Sequence, residues 1–399
     1  MVRPDGFFGV LKKVQAMRTL SEKKPSIIGS PFDSRTAFKR EALNEQAFLR
    51  MIAIERKRTE RSKESFLLML MEDEGYQGAK AAEQVLDRIL ETLLPTSRET
   101  DVIGWYKDGK VAGVMFTGLA SDDRNAALDT ILKRVNSLLC DKLPFEDTEQ
   151  IKISFHFYPD DWDHTKPGCP INSILYPDLF MRSSKQDALL LLKRAIDIVG
   201  SAAALIACIP ILYAIAIAIK TTSEGPVLFR QRRVGQYGAR FTLLKFRSMQ
   251  KGNDNSAHKA FVMKLIKSDE SLESGAAGGE SVFKIVNDSR ITRVGKCLRK
   301  FSLDELPQFY NVLKGEMSLV GPRPPLLYEL KAYQPWHRRR ILDFKPGITG
   351  LWQVSARSTV AFDEMVRLDL QYASSWSPWL DIKILLRTPI VVIKGAGAH

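Results

Sequence analysis

The pattern of apolar and polar positions divides the chain into two parts of different character. In the first part it predicts helices over residues 47–63, 79–94 and 126–139 and strands over 65–71, 101–105, 111–117 and 151–158. The resulting order, α-β-α-β-β-α-β, predicts an α/β sandwich of the α+β class over residues 46–160. Residues 1–45 are weakly periodic and indicate a tether, and the proline-containing residues 161–185 indicate a linker.

The second part opens on a long apolar run. Residues 198–219 form 22 consecutive uncharged positions, which as a helix would extend about 33 Å, enough for a hydrocarbon layer of about 30 Å. A spanning helix is one interpretation. Pro210 near its middle and basic residues on both flanks (Lys185, Lys193 and Arg194 before it, Lys220, Arg230, Arg232 and Arg233 after it) favour a re-entrant helix–break–helix over about residues 196–219. Both flanks of a re-entrant segment stay in the cytosol.

Charge and cysteine content narrow the classes of function. Residues 1–185 carry 28 Lys+Arg and 28 Asp+Glu, whereas residues 186–399 carry 31 and 18, so the net charge of +13 resides in the second half. A half with this excess of positive charge could bind nucleic acid, an anionic membrane leaflet or phosphorylated small molecules. The chain shows no nucleic-acid-binding pattern, and nucleic acid would leave the apolar run unexplained. Four scattered cysteines and no signal-peptide core predict a reduced, cytosol-facing protein.

A pair of acids stands in the string RKFSLDELPQ, residues 299–308. Ser302 with Glu305 fits a capping box, and Asp304 fits an N-cap that places Pro307 in the first turn; either frame starts a helix at the acids. A purely structural helix start is one interpretation. The other is an anion site in which Asp304 acts as a nucleophile on phosphorus, with Lys245, Arg299, Arg323 and a divalent metal screening the charge.

Three further segments supply basic residues. Residues 229–249 predict two strands around the turn 235–238 and carry Lys245 among cations that suit either lipid headgroups or phosphate. In the run 317–325, prolines on both sides restrict the backbone of Arg323, as a bidentate phosphate clamp or a structural turn would need. Residues 345–357 form a Gly-containing basic loop that ends at Arg357.

Residues 189–395 resemble the monotopic polyprenyl-phosphate hexose-1-phosphate transferases of bacterial surface-polysaccharide assembly. The resemblance is carried, in order, by KRAIDIVGSAAALIACIPILYAIAIAI, GPVLFRQRRVG, KFRSM, DSRITRVGKCLRKFSLDELPQFYNVLKGEMSLVGPRP, KPGITGLWQVSAR and LDIKILLRTPIVVIKG. It implies a small α/β phosphoglycosyl transferase domain with amphipathic helices over 186–399, on the cytoplasmic face of the inner membrane.

The resemblance also implies a reaction. A sugar-1-phosphate passes from a UDP-sugar to polyprenyl (undecaprenyl) phosphate by double displacement with Mg²⁺, which initiates exopolysaccharide or other surface glycan synthesis. Asp304 is then the nucleophile and metal ligand, and Glu305 its partner acid. Lys245, Arg299 and Arg323 are then the phosphate-binding residues and Arg357 a nucleotide-side residue, while the insert 254–282 has no counterpart.

Residues 46–160 resemble a degenerate GGDEF domain. ERKRTERSKESFLLMLMEDE and RETDVIGWYKDGKVAGVMF occupy the helix–strand and hairpin positions, but the turn reads KDGKV where that family carries its acidic signature. Cyclase activity is therefore not expected, a structural or regulatory role is, and the resemblance is compatible with a homodimer. The alternative function for the whole chain is a membrane-anchored nucleotide-binding signalling protein without transferase activity.

Overall fold

The computed structural model describes residues 40–73, 79–119, 124–142, 151–160, 171–181, 184–250, 290–355 and 361–393, with residues 259, 260, 263 and 266 between them. Its N-terminal part confirms the predicted order of elements: α1 (Glu45–Ser62), β1 (Ser65–Asp73), α2 (Ala79–Leu93), β2 (Val102–Lys107), β3 (Val111–Leu119), α3 (Arg124–Lys142) and β4 (Ile151–Tyr158). The strands form one antiparallel sheet in the order β2-β3-β1-β4.

Strand β1 carries the core because both of its faces are buried. Phe66 and Leu68 pack with Phe48 of α1, whereas the alternating Met69 and Met71 pack with α2 on the opposite face. Its continuous apolar sequence therefore reflects a central strand covered on both sides.

Part of the predicted linker is folded. Residues 171–181 contain a 3₁₀ turn, Ser173–Leu175, and a short helix α4 (Pro177–Phe180). Arg56 of α1 holds this segment: its buried guanidinium donates to the Leu175 carbonyl at 3.1 Å and to Asp178 at 2.7 Å, and it lies 4.5 Å from the centroid of the Tyr176 ring. One buried cation thus joins the sandwich to the segment that leads into the second half.

We expect Arg56→Ala to lower the free energy of unfolding by about 2–4 kcal/mol, because it leaves a buried carbonyl without a donor and Asp178 without its counter-ion. Unfolding of detergent-solubilised protein followed by tryptophan fluorescence measures this. Arg58→Ala is the matched control, since Arg58 on the same helix is 65% exposed and only paired with Glu55 at 3.6 Å. Equal stability of the two variants would contradict a structural role for Arg56.

The second half is assembled from short elements around one long helix: α5 (Ser184–Thr222), β5 (Leu228–Val234), β6 (Arg240–Phe246), α6 (Arg293–Lys300), α7 (Gln308–Lys314), β7 (Ser318–Val320), α8 (Leu327–Ala332), α9 (Pro335–Arg338), β8 (Gly347–Thr349), α10 (Leu351–Ser355), α11 (Phe362–Ser375) and α12 (Pro378–Ile393). Strands β5 and β6 form the predicted antiparallel hairpin around a 3₁₀ turn, Gln236–Gly238. Strands β7 and β8 pair in parallel. With the sheet of the first half, this confirms the α+β class.

Helix α5 is longer than the predicted segment 196–219. It is one continuous helix of 39 residues that passes through Pro210, so the predicted helix–break–helix is wrong in having an interruption. Within the described part of the chain, α5 alone is long and apolar enough to cross a membrane. Only 11% of its most apolar window is buried; Ile206 and Tyr213, for example, are 69% and 71% exposed. It is therefore not the core helix of a soluble domain, and its exposed apolar surface must be shielded from water.

Both ends of α5 are attached to the second half. Near its start, Lys193 donates to Asp381 of α12 at 2.6 Å and to the Val320 carbonyl at 3.0 Å, and Asp197 accepts from the Leu319 N–H at 2.8 Å. Near its end, Ile219 is buried in an apolar cluster that contains Phe246 and Leu298. The exposed apolar stretch lies between these two attachments.

Candidate active site

The acid pair lies in a 3₁₀ turn, Leu303–Glu305, ahead of α7. Both predicted cap frames are wrong. Ser302 adopts a left-handed conformation (φ 53°) and makes no side-chain cap bond, whereas an N-cap residue needs an extended backbone, and α7 itself begins only at Gln308 after Pro307. The electrostatics of the site therefore depend on side-chain cations rather than on a helix N-terminus.

Apolar neighbours hold the acid pair against the end of α5. Leu303 and Leu306, which flank Asp304 and Glu305, pack on the cluster around Ile219. The Asp304 residue is 9% exposed. The turn is thus fixed by burial of its two leucines in a cluster that includes Ile215 and Ile219 of α5.

Lys245, predicted as a phosphate-binding cation, pairs with Glu305. Its ammonium lies 2.8 Å from Glu305 Oε1, and the two side chains are 23% and 32% exposed. Lys245 projects from β6, whose next residue, Phe246, is buried with the leucines of the turn. The half-exposed ion pair therefore lies at the mouth of the site, where an incoming phosphate can reach it.

The segment that carries Arg323 is held from outside at four successive carbonyls. Those of residues 322, 323, 324 and 325 accept hydrogen bonds from, respectively, the Gly347 N–H at 2.9 Å, Arg340 Nη2 at 3.2 Å, Arg233 Nη1 at 2.9 Å and the Val234 N–H at 3.0 Å. Three of these four residues are prolines, which have no N–H of their own to bond. Arg323 itself is half-buried between buried neighbours. Its backbone is held in place on both sides, in agreement with the predicted rigid segment.

Two glycines allow this segment to cross its neighbour. A Cβ on Gly321 would lie 2.2 Å from the Lys345 carbonyl oxygen, and one on Gly347 would lie 2.1 Å from the Gly321 nitrogen. No side chain fits at either position without moving backbone. The glycines of the sequence motifs GPRP and KPGITG therefore serve the contact between two loops.

Arg233 joins the Arg323 segment to the acid pair. It is buried, and its guanidinium is close enough to Arg323 and to Glu305 for both charges to act on it. Burial and then the neighbouring Arg323 lower the pKa of Arg233 to about 10, with Glu329 and Glu305 among the groups that oppose the fall. It remains a cation at neutral pH and lies within electrostatic range of both Arg323 and Glu305.

Of the two remaining predicted residues, Arg299 belongs to the described part of the chain and Arg357 does not. Arg299, in the last turn of α6, donates from Nε to Ser248 at 2.9 Å, which ties it to the segment just after β6. Arg357 lies outside the described residues, as does most of the insert 254–282.

A magnesium ion fits the donor chemistry of the acid pair. Among the described residues, no group of three or more His, Cys, Asp or Glu side chains could hold a metal. Mg²⁺ commonly binds through only one or two carboxylates together with substrate phosphates. Asp304 and Glu305 supply that donor set, and the arrangement suits an ion that arrives with a diphosphate.

Sequence reasoning missed the structural importance of two arginines, Arg233 and Arg340. Arg233 belongs to a run, RQRR, in which Arg230 and Arg232 are exposed, and Arg340 belongs to a second run, RRR. Nothing in either string marks the buried member. Which arginine is buried depends on the tertiary fold, because Arg233 bonds a carbonyl about 90 residues away and Arg340 one 17 residues away.

A family model described as bacterial sugar transferase matches residues 188–395, more than half of the chain. The chain belongs to the bacterial sugar transferase family. Galactosyl transferase CpsE of Streptococcus agalactiae serotype III (strain NEM316) is 46% identical over 210 residues, which cover 52% of this chain and 44% of that protein. The undecaprenyl-phosphate galactose phosphotransferase of Salmonella typhimurium is 44% identical over 209 residues, 52% of this chain and 42% of that protein.

Exopolysaccharide production protein ExoY of Rhizobium meliloti is 38% identical over 207 residues, which cover 52% of this chain and 88% of that protein. The sugar transferase thus spans less than half the length of CpsE and of the Salmonella relative, and most of ExoY. The similarity in all three covers about half of this chain, in agreement with a transferase in its second half.

Two solved structures show a distant likeness to this sugar transferase. A DGC protein from Thermotoga maritima has a TM-score of 0.25 at 17% identity, covering 30% of this chain and 85% of that chain. A sensory box/GGDEF family protein from Caulobacter crescentus CB15 has a TM-score of 0.25 at 19% identity, covering 30% and 81%. At these scores the likeness carries no argument, and the GGDEF-like fold of residues 46–160 remains a prediction.

The turn of the β2–β3 hairpin is tied to α1. Asp108 accepts from the Glu45 N–H at 2.9 Å and donates its own N–H to Glu45 Oε2 at 3.0 Å. A turn whose acid is engaged in this way holds the sandwich together, which favours the structural role.

Proposed function

We propose that the chain transfers a sugar-1-phosphate from a UDP-sugar to undecaprenyl phosphate through a covalent aspartyl-phosphosugar on Asp304, and so starts a surface glycan. The observation that carries this is the location of the acid pair: Glu305 pairs with Lys245, and the flanking leucines pack on a cluster that includes Ile215 and Ile219 of the apolar helix α5. The site therefore combines a nucleophile, cations for phosphate and access to a lipid surface.

The first step is attack of an Asp304 carboxylate oxygen on the phosphorus that bears the sugar. That bond forms as the bond from the same phosphorus to the bridging oxygen of the diphosphate breaks, and UMP leaves with the electron pair. An oxygen of undecaprenyl phosphate then attacks this phosphorus, and the bond to Asp304 breaks to restore the carboxylate.

Phosphate recognition falls to Arg323, Arg299 and Lys245. The guanidinium of Arg323, projecting from its rigid segment, can hold two phosphate oxygens at once. Lys245 pairs with Glu305 and offers a point charge of its own. Mg²⁺, held by Asp304 and Glu305 together with the diphosphate, would neutralise charge on the phosphate oxygens.

Membrane attachment is supported by two apolar surfaces. On α12, Trp379, Ile382, Leu386, Ile390 and Ile393 are all exposed, whereas Asp381 and Ile384 are buried. The spacing of three or four residues places the exposed set on one face of the helix. Together with the exposed middle of α5, this face suits a protein that lies in the cytoplasmic leaflet, where the lipid acceptor is presented.

The test of this function is a transferase assay on the full chain in nanodiscs. UDP-galactose, the sugar indicated by the names of two relatives, and UDP-glucose are supplied in turn with undecaprenyl phosphate. We expect acceptor-dependent UMP release and a sugar-linked lipid diphosphate with one of them. Binding of nucleotide without either product, across a wider panel of UDP-sugars, would instead favour the signalling alternative.

Removal of divalent metal should lower turnover in this assay at least about tenfold, because the charge of the diphosphate is then opposed by side chains alone. EDTA treatment followed by titration with Mg²⁺ measures the loss and its recovery. Full activity in EDTA would contradict the metal role assigned to Asp304.

The re-entrant course of α5 predicts the accessibility of its two flanks. In a chain without its native cysteines, single cysteines near Asp187 and near Thr221 should both react with a membrane-impermeant reagent from the cytosolic side. Reaction from opposite sides would mean a spanning helix.

Replacing Pro210 by Ala should shift part of the population toward spanning, since the apolar run is long enough, and activity should fall with the spanning fraction. The matched control is Pro389→Ala in α12, which also removes a proline from a helix interior and should leave the labelling unchanged. Full activity in a demonstrably spanning Pro210→Ala protein would contradict the link between the re-entrant course of α5 and function.

A further inference from the structure

Arg340 is a buried arginine beside the active site. Its side chain is 1% exposed and lies 2.5 Å from Asp369 of α11, whose side chain is also 1% exposed. It donates from Nη1 to the Tyr333 hydroxyl at 3.4 Å and from Nη2 to the Arg323 carbonyl at 3.2 Å. Because the guanidinium is enclosed, it has no access to substrate. Any effect of Arg340 on the reaction must therefore act through the groups to which it is bonded.

Arg340 is bonded to the peptide group between Arg323 and Pro324. That group has no N–H, since the next residue is proline, so its carbonyl is the only polar atom by which it can be fixed. Fixing the carbonyl fixes the backbone rotation of Arg323 about the Cα–C bond. The direction in which the Arg323 side chain leaves the segment therefore depends on the bond from Arg340.

The ion pair with Asp369 keeps the donor in place. Burial raises the pKa of Asp369 to about 6, with Arg340 opposing the rise, so at pH 7.5 the carboxylate is ionised and pairs with the guanidinium. A buried ion pair is often no more stabilising than apolar residues of the same volume. Its use at this position is explained better by the orientation that it gives to a donor than by stability alone.

We propose that Arg340 is a positioning residue for Arg323: it sets the orientation of the phosphate-binding guanidinium without contacting the substrate. This inference rests on the proposed transferase function and adds to it a residue that neither the motifs nor the comparisons single out. Asp369 and Tyr333 orient Arg340 in turn.

The test is a double-mutant cycle with Arg340→Lys and Arg323→Lys, measured as kcat/KM for the UDP-sugar. Lysine keeps the charge that Asp369 needs, but its single ammonium cannot also bond the Tyr333 hydroxyl and the Arg323 carbonyl in the same geometry. We expect a loss of about tenfold with Arg323 present and less than about twofold in the Arg323→Lys background, because an effect that acts through one side chain disappears with it.

Arg338→Lys is the matched control. Arg338, two residues earlier, donates to the Asp160 carbonyl instead. Its substitution should change kcat/KM by the same small factor whether residue 323 is arginine or lysine. If Arg340→Lys does not fold, Arg340→Gln replaces it in the cycle, since its amide can still donate one hydrogen bond in the buried site.

Three outcomes overturn the inference: wild-type kinetics in the folded Arg340 variant, an equal loss in both backgrounds, or a loss that unfolding measurements account for. An inactive wild-type chain would instead overturn the proposed function itself. A wild-type chain that is active while the cycle is additive would overturn only the role of Arg340.

Discussion

Asp304→Asn should lower turnover by about 10³-fold or more while the protein still folds and enters the membrane. The amide keeps the shape of the carboxyl but cannot form the bond to phosphorus, so the double displacement loses its first step. The change should have little effect on folding, because the amide keeps the size of the carboxyl and Leu303 and Leu306 anchor the turn in the apolar cluster. UMP release from the purified variant, with membrane partition measured alongside, gives both readouts.

The control is Asp129→Asn, the same chemical change at an exposed position of α3, which should retain wild-type turnover. Activity of Asp304→Asn within about tenfold of wild type, equivalent to about 1.4 kcal/mol of barrier, would exclude Asp304 as the nucleophile.

Arg323→Lys should lower kcat/KM for the UDP-sugar by about 10²-fold. An ammonium offers a point charge in place of a planar fork, so one of two paired hydrogen bonds to the phosphates is lost where charge develops. The rigid backbone makes the loss larger, because carbonyls fixed at residues 322 to 325 prevent the segment from shifting to compensate.

Steady-state kinetics with a matched surface variant test this. Arg367→Lys makes the same substitution at a side chain that is 69% exposed, and it should leave kcat/KM unchanged. Wild-type kinetics in Arg323→Lys would mean that the segment is only a structural turn.

The periodic pattern of apolar and polar residues and the positions of the prolines correctly predicted several local features of the structure. In residues 46–160, the periodicity of apolar residues and the turn residues predicted an α+β sandwich. The structure has each strand and helix in the predicted order. The prolines around Arg323 predicted a rigid segment, and the hydrogen bonds to its carbonyls confirm it. The sequence named Lys245 as a cation for phosphate, and the structure pairs it with Glu305; its role toward phosphate stays a prediction.

Other features depended on contacts that the sequence does not encode locally. The string S-L-D-E fits a capping box, yet Ser302 adopts a left-handed backbone because α6 ends there and the two leucines must reach the apolar cluster. The burial of Arg233 and Arg340 within runs of arginines follows from the course of the Arg323 segment past them. The predicted linker appeared irregular, but burial of Leu175 and Tyr176 against α1 and β1 folds part of it.

Isotope exchange tests the covalent mechanism most directly. The chain in nanodiscs is incubated with UDP-sugar, Mg²⁺ and labelled UMP in the absence of undecaprenyl phosphate. If Asp304 carries the phosphosugar between the two half-reactions, label must pass from UMP into UDP-sugar without any acceptor, and Asp304→Asn must abolish the exchange. A wild-type chain that makes the lipid product with acceptor present but shows no exchange without it would contradict the aspartyl intermediate.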